Sequence, residues 1–530
     1  MFLKKYQHKI KTAEELVRII GSFPRDQKVV MCHGVFDVVH PGHMRHLLFA
    51  KSKADILVAS LTADIHICKG MYRPHVPQAI RAANLAAFEM VDYVIIDFNK
   101  APLDNLRLLQ PDFFAKGYEY SGDDKPLKTL EEEEILKSYG GDILFTPGDV
   151  VYSSSHLINI AEPSLRYEKL VSAMEAEDIS AEDLYASLKG NEKLTVHVIG
   201  DTIVDGILQT NVIGGQIKTP TLSVRYESQT NYVGGAGVVA KHLKAAGANV
   251  IFTTVLGDDE RAKFVLDDLV AAGVQVNAIT DQTRPTTYKN AVVAGGYRLV
   301  KIDTLDNSSI SDTVLHQLVD GIANTPADAV VFSDFRHGIF NKRTIPALRE
   351  AIPEVCYKVA DSQVASRWGD ITEFQNFDLI TPNEREARFS LGDQDTGVRP
   401  LASNLYKAAN CTTLMLKLGE KGLLTCGKFD QTTVVDTFVD QVVDAVGSGD
   451  ALLAYAMLAM VKGFSPVVAS IVGSMAAACE CEEDGNIPIT PHKITQKLKR
   501  VLRRAQYSFD GPEVEVVRAK VAPISDEVSV

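Results

Sequence analysis

Short apolar runs of strand length alternate with helix-length segments along nearly the whole chain. That alternation limits the fold more than any other feature. VVMC, ILVAS, YVIID and ILFT come first; VHVIG, VIFTTVLG, AVVFSD, CYKVAD, LITP and TLMLKLG follow. Such runs, divided by helical patterns, predict α/β architecture: parallel sheets with helices on both faces. The alternation is interrupted once. Residues 162–193, which include the acidic stretch EAEDISAEDLYASLKGNEK, are polar and periodic enough for one or two exposed helices, and they read as a linker. A chain of 530 residues needs more than one core. The linker therefore divides it into an N-terminal domain at 1–161 and a C-terminal domain at 194–511, with a tail at 512–530.

Composition narrows the function classes. A formal charge of −13 with no compensating basic cluster argues against a nucleic-acid surface. The densest basic run, KLKRVLRR at 497–504, reads as the solvated face of a helix. No apolar stretch is long enough to span a membrane; Ser465–Cys479 is short and rich in Ala, Gly and Ser, which suits a buried helix. The start, MFLKKYQHKIKT, lacks an apolar signal core. Seven scattered cysteines suggest neither a disulfide framework nor a zinc site. Together these features predict a cytoplasmic protein that acts on small molecules, with no nucleic-acid or membrane partner.

In the first domain, strand VVMC runs into a turn and then His40-Pro-Gly-His43 at the start of a helical pattern. Free amides and the dipole at a helix N-terminus favour anions. Two imidazoles there would suit a triphosphate under attack, and a pair with raised proton affinity would suit it best. The bland alternative is two surface or capping histidines in a turn. In the second domain, Val446-Gly-Ser-Gly-Asp450 precedes a long apolar helix. Gly447, Ser448 and Gly449 would offer amides to a phosphoryl group in flight, and Asp450 could take a proton from an attacking hydroxyl. The same five residues also read as a Gly-rich turn with Asp450 as the helix cap.

The surrounding residues carry two resemblances. HPGH after Gly34-Val-Phe36-Asp, Lys69-Gly with Arg73-Pro and Arg81, Phe114-Ala-Lys-Gly-Tyr-Glu-Tyr120, and Tyr152-Ser-Ser-Ser-His-Leu-Ile158 stand in the order of the nucleotidylyltransferase superfamily. The likeness implies a Rossmann-like domain. It also implies roles for His40, His43 and Lys69 in catalysis, and phosphate or nucleotide contacts from Gly34, Phe36, Gly42, Arg73, Ser153, Ser154 and Ser155. Residues 194–500 resemble the ribokinase family of sugar kinases: Gly200-Asp201 with Asp205, Asn231-Tyr-Val-Gly234-Gly235-Ala-Gly, Thr381-Pro-Asn383-Glu-Arg-Glu386, Leu416-Lys417-Leu-Gly419-Glu-Lys-Gly422, and DAVGSGD. That likeness implies an α/β sandwich with a small β lid. It implies Asp450 as base, nucleotide contacts from Lys417, Gly419, Gly422, Gly447, Ser448 and Gly449, and sugar contacts from Asp201, Asp205, Gly234 and Gly235. Asn383 and Glu386 would hold Mg²⁺ through water. Ala445, Ser448 and Val238 depart from the family's usual Thr, Ala and Asn. Lys289 and Arg298 are candidates for gripping a sugar phosphate; the plainer reading is two solvated strand charges. The alternation in 214–228 suits a lid through which such folds pair, so a homo-oligomer is expected.

Taken together, the chain resembles the bifunctional heptose 7-phosphate kinase/heptose 1-phosphate adenylyltransferase family, with the domain order reversed. The resemblance implies ATP and Mg²⁺ for the kinase, and ATP or, alternatively, CTP for the transferase. A different sugar or a polyol phosphate as substrate, or one domain retained as an inactive nucleotide-binding scaffold, also remains open.

Overall fold

A computed structural model describes residues 5–67, 70–117, 127–146, 166–215, 222–363, 369–427, 432–485 and 487–510. Lys69 and Ser153–Ser155 lie outside the described residues.

The first domain has strands β1 (Val29–Gly34), β2 (Ile56–Thr62), β3 (Tyr93–Asp97), β4 (Phe113–Gly117) and β5 (Asp142–Thr146), in the spatial order 3-2-1-4-5. Every pairing is parallel. Strand side chains alternate between two cores: Val30 and Cys32 enter one, Val29 and Met31 the other. This explains why the run is apolar throughout. The order reverses between β1 and β4, and ligands of open α/β sheets bind at such a switch point, beyond the strands' C-terminal ends. Helix α1 (Pro41–Lys51) starts there.

Strands β6 (Thr195–Gly200) to β18 (Thr432–Val435) build the second domain. Its main sheet has the order 10-9-6-13-14-15-16-17-18, where β9 is Asn249–Leu256, β14 is Tyr357–Ser362 and β15 is Leu379–Ile380. Pairings are parallel from β10 (Gln275–Thr280) to β16 (Thr413–Lys417), and antiparallel through β17 (Leu423–Cys426) and β18. Ala329 and Val331 of β13 (Ala329–Asp334) face one core, Val330 and Phe332 the other. A separate sheet of four strands, β12-β11-β7-β8, forms the lid. In it β7 (Thr202–Gly215) pairs with both β8 (Leu222–Gly235) and β11 (Tyr288–Ala294), and β12 (Tyr297–Thr304) is exposed along its length.

The acidic segment departs from the expected exposed linker. Its helices Arg166–Ala176 and Ala181–Ser187 bury Leu170, Leu184 and Leu188 in the second domain's core, and Lys169 pairs with Asp436. The apolar positions are too sparse to outweigh the acidic composition in a sequence reading, yet a few leucines on one face suffice to dock a helix. No helix among the described residues is long and apolar enough to cross a membrane.

Candidate active sites

In the first domain, β1 delivers the chain to a tight turn at its C-terminal end. Phe36 adopts a left-handed backbone (φ 49°), and a Cβ on Gly34 would crowd the Phe36 ring at 3.2 Å. The Phe36 ring lies 5.2 Å from that of His43. His40 and His43 stack with centroids 4.0 Å apart. His40 is the N-cap of α1, and its Nδ1 accepts the Gly42 N–H at 3.1 Å. The capping reading is thus realised, but it does not use up the side chain. With Nδ1 as acceptor, a neutral ring carries its proton on Nε2 and keeps that N–H as a donor. Burial lowers the proton affinity of His40. Burial, with His40 and His46 nearby, pushes His43 down to about 4. The expectation of raised proton affinity is corrected: two imidazoles sharing a buried corner disfavour charge on each other. Arg73 reaches Asp37 at 3.8 Å.

In the second domain, helix α2 (Ser448–Val461) begins after Gly447, which takes φ 85°. Gly447 is the N-cap and Asp450 sits two residues into the helix, so the alternative with Asp450 as cap is corrected. The first-turn amides lack intrahelical partners. Ser448 spends part of that capacity, with its N–H 3.4 Å and its hydroxyl 2.8 Å from the Ala445 carbonyl. Lys417 ends β16, and its Nζ stands 3.4 Å from where a Cβ on Gly449 would lie. It pairs with Asp361 at 2.7 Å, and Thr381 donates to the same oxygen at 2.7 Å. Burial works against the charge on Lys417, but Asp361 and Glu386 outweigh it and its pKa is raised. Burial, with Asp361 beside it, pushes Asp450 up to about 7 against the pull of Lys417. Glu386 is likewise raised, chiefly by burial.

Asn383 caps helix α3 (Glu384–Leu391) in a reciprocal box: its side chain accepts the Glu386 N–H at 2.9 Å, and Glu386 accepts the Asn383 N–H at 2.7 Å. Asp361, at the end of β14 (Tyr357–Ser362), was not singled out from sequence. Its only signal is a carboxylate closing an apolar strand, at the sheet edge where such folds bind ligands. Gly422 (φ 85°) has no room for a Cβ against the Val435 carbonyl and holds the loop between β16 and β17 to β18.

The residues expected to contact a sugar lie where β7 meets β8 and β11. Asp205 stands in register with Lys289, and Lys289 with Asp303. A Cβ on Gly234 would collide with the Asp205 carboxylate, and one on Gly235 (φ 61°) with the Asp201 carbonyl. Burial raises Asp205, against the nearby charges of Lys289, Lys301 and Arg298. Asp201 is placed differently from expectation. It is 3% exposed, and its Oδ2 accepts N–H groups of Phe335 at 3.0 Å and His337 at 3.1 Å. A buried carboxylate needs donors, and here it finds them in the turn after β13, which it holds shut.

Two α/β domains, each presenting an anion-binding helix N-terminus at the edge of a parallel sheet, define a chain built for phosphate chemistry at two places. The second has the architecture of a sugar kinase. Residues 193–493 match the description "pfkB family carbohydrate kinase", and the chain belongs to that family. Residues 31–160 match "Cytidylyltransferase-like", so the nucleotidyltransferase-like domain is N-terminal and the kinase C-terminal. Among curated relatives, "Bifunctional protein HldE" of Rhodopseudomonas palustris (strain BisB5) is 26% identical over 340 residues, covering 62% of this chain and 68% of that one. The protein of the same name in Desulfatibacillum aliphaticivorans is 25% identical over 335 residues, covering 62% and 66%. The chain thus spans about two thirds of these relatives' length. Solved structures similar to it include Arabidopsis thaliana ribokinase complexed with ribose and ATP (19% identity, TM-score 0.46, 58% of this chain and 99% of that one). Phosphofructokinase-2 from Escherichia coli is similar too (15%, TM-score 0.49, 58% and 100%).

Proposed function

We propose that the protein phosphorylates a sugar phosphate at its anomeric hydroxyl and transfers a nucleotide to a sugar 1-phosphate, releasing pyrophosphate. The favoured pair of reactions is ATP-dependent phosphorylation of heptose 7-phosphate at O1 and adenylyl transfer to heptose 1-phosphate, giving ADP-heptose. The observation that carries the kinase half is Asp450 in the first turn of α2, its pKa raised to about 7, with Lys417 Nζ close to Gly449 of the same turn. Asp450 takes the proton of the attacking hydroxyl; the amides of Gly447 and Gly449 and the Lys417 ammonium meet the charge on the transferring phosphoryl group. Asp205, with Lys289 and Arg298 close by, orients the sugar and its phosphate.

Mg²⁺ typically takes one or two protein carboxylates and fills its remaining positions with phosphates and water. Glu386 and Asp361 beside Lys417 fit that role, and no cluster of three or more metal-ligating side chains occurs among the described residues. When bound, Mg²⁺ would neutralise phosphate charge, and Asn383 and Glu386 would hold it through water. In the first domain, His40 and His43 donate to the α-phosphate and the leaving pyrophosphate, with Lys69 and Ser153–Ser155 as further donors. CTP in place of ATP is the second reading, favoured by the cytidylyltransferase-like match.

Mass-spectrometric screening of phosphorylated sugars with ATP and Mg²⁺, followed by a nucleoside triphosphate panel on the product, tests both halves. No phosphorylated product from any sugar would refute the kinase half. Replacing Lys289 and Arg298 together by Ala should raise KM for the phosphorylated sugar about tenfold or more while kcat changes little, because charge-assisted contacts to a spectator phosphate act equally in ground and transition states. An unchanged KM in initial-rate assays would return both residues to the solvated-charge reading. The lid leaves Val212, Ile213, Tyr226, Tyr297 and Val300 exposed, which supports pairing of two copies through it; sedimentation velocity measures the state.

A further inference from the structure

The loop that carries Arg73 in the first domain touches the second. Helix α4 (Val398–Ala409) of the kinase domain docks its N-terminus on it: the first helical N–H, of Val398, donates to the Met71 carbonyl at 2.9 Å. Tyr72 donates to Glu384 at 3.0 Å, next to Asn383. Arg399, 4% exposed, reaches furthest. It donates to the carbonyls of Arg73 at 3.2 Å and Pro74 at 3.4 Å, and lies 3.6 Å from Asp64 Oδ2. The other oxygen of Asp64 holds Arg81 at 2.5 Å. Arg81, fully buried, donates to the carbonyls of Thr62 and Val35. Val35 precedes Phe36, whose ring packs on His43. On the other side of the same turn, Asp37 accepts the Val76 N–H at 2.9 Å and faces Arg73.

Resting on the nucleotidyl-transfer reading of the first domain, we propose that Arg399 of the kinase domain is a positioning residue for that transfer. The chain Arg399–Asp64–Arg81–Val35 fixes the turn that sets Phe36 and His43, while the Arg399 guanidinium pins the Arg73–Pro74 backbone. The three charged members of this chain, Arg399, Asp64 and Arg81, are all buried, so neither water nor a flexible neighbour can replace the missing donor. Three guanidinium groups (Arg73, Arg81, Arg399) stand against two carboxylates (Asp37, Asp64), which leaves a net positive charge behind the turn that faces the triphosphate. The fusion of the two domains is then functional: one supplies a part of the other's site.

The test uses the full chain with Arg399→Ala and Arg399→Lys. Hydrogen exchange, which needs no substrate, should speed up about tenfold or more at Val35–Asp37 and Asp64–Val76 in Arg399→Ala. Pyrophosphate release should lose about tenfold to a hundredfold in kcat, with a much smaller change in KM for the nucleotide, as expected of misplacement rather than lost binding. Arg399→Lys keeps the charge without the fork and should recover part of the rate. Phosphoryl transfer on the same sample should stay near wild type. Unchanged exchange in both segments, a wild-type kcat, or parallel loss of both activities with faster exchange throughout the kinase domain would each overturn the proposal. A wild-type chain that releases no pyrophosphate with any sugar 1-phosphate would instead refute the transferase reading, and the exchange result would still decide whether Arg399 holds the turn.

Discussion

Asp450→Asn should lower the phosphoryl-transfer kcat by about 10²–10⁴-fold, the range typical of a lost general base, while KM for ATP changes little. The substitution keeps shape and burial and removes only the ability to take a proton; the amides of the nest belong to the backbone and remain. The wild-type rate should rise with pH through an apparent pKa of about 7, and that limb should vanish in the variant. Stability moves the other way. The folded-state pKa of Asp450 is raised from 3.8 to about 7, so between those values the folded state keeps a proton that the unfolded chain has released. Stability therefore falls as pH rises through this window. Asn cannot ionise and escapes the penalty, so at pH 8 the variant should melt no lower than wild type. Turnover near normal would remove Asp450 from the role, and a lower Tm would mean that its carboxylate is compensated by more than Lys417.

The features legible in the sequence are those written in local pattern. Continuous apolar runs disclosed β1, β13 and β16 because both faces of each strand are buried, and glycines disclosed the turn before α2 because Gly447 must take a positive φ. Asn383 and Glu386 were legible only through the resemblance of their segment to a family motif; the capping box they form, a contact within one turn of helix, is what the structure adds. Asp361 was missed because its partners are distant in the chain, Lys417 in β16 and Thr381 just after β15, and no motif marks a strand-terminal carboxylate. Arg399 was illegible for the same reason on a larger scale: its acceptor at Arg73 lies 326 residues away. The histidine pair shows a different limit. Its place was readable, but its protonation was not, because burial and mutual repulsion are properties of the packed site. Likewise the leucines of the acidic segment mean little until the core that receives them exists.

His43→Ala should cut pyrophosphate release by about 10²–10³-fold, the cost of removing one donor aimed at charge that develops in the transition state, and leave phosphoryl transfer untouched. Because burial and its neighbours hold His43 well below its ordinary pKa, the free enzyme presents a neutral imidazole at physiological pH. Its kcat/KM for the nucleotide should then be flat from about pH 6 to 8, where an ordinary histidine would titrate near 6.5. A charged pair would have given a profile falling as pH rises. His40→Ala should cost more than His43→Ala in thermal stability, since it also removes the cap on the Gly42 amide, worth about 1 kcal/mol; paired melting curves separate the two. Full pyrophosphate release by His43→Ala would show that the stacked rings only close the turn. In that case the donors would have to come from the α1 amides, and a neutral, buried histidine would be structural. The flat pH profile alone cannot tell these apart, so the substitution and the profile have to be measured on the same protein.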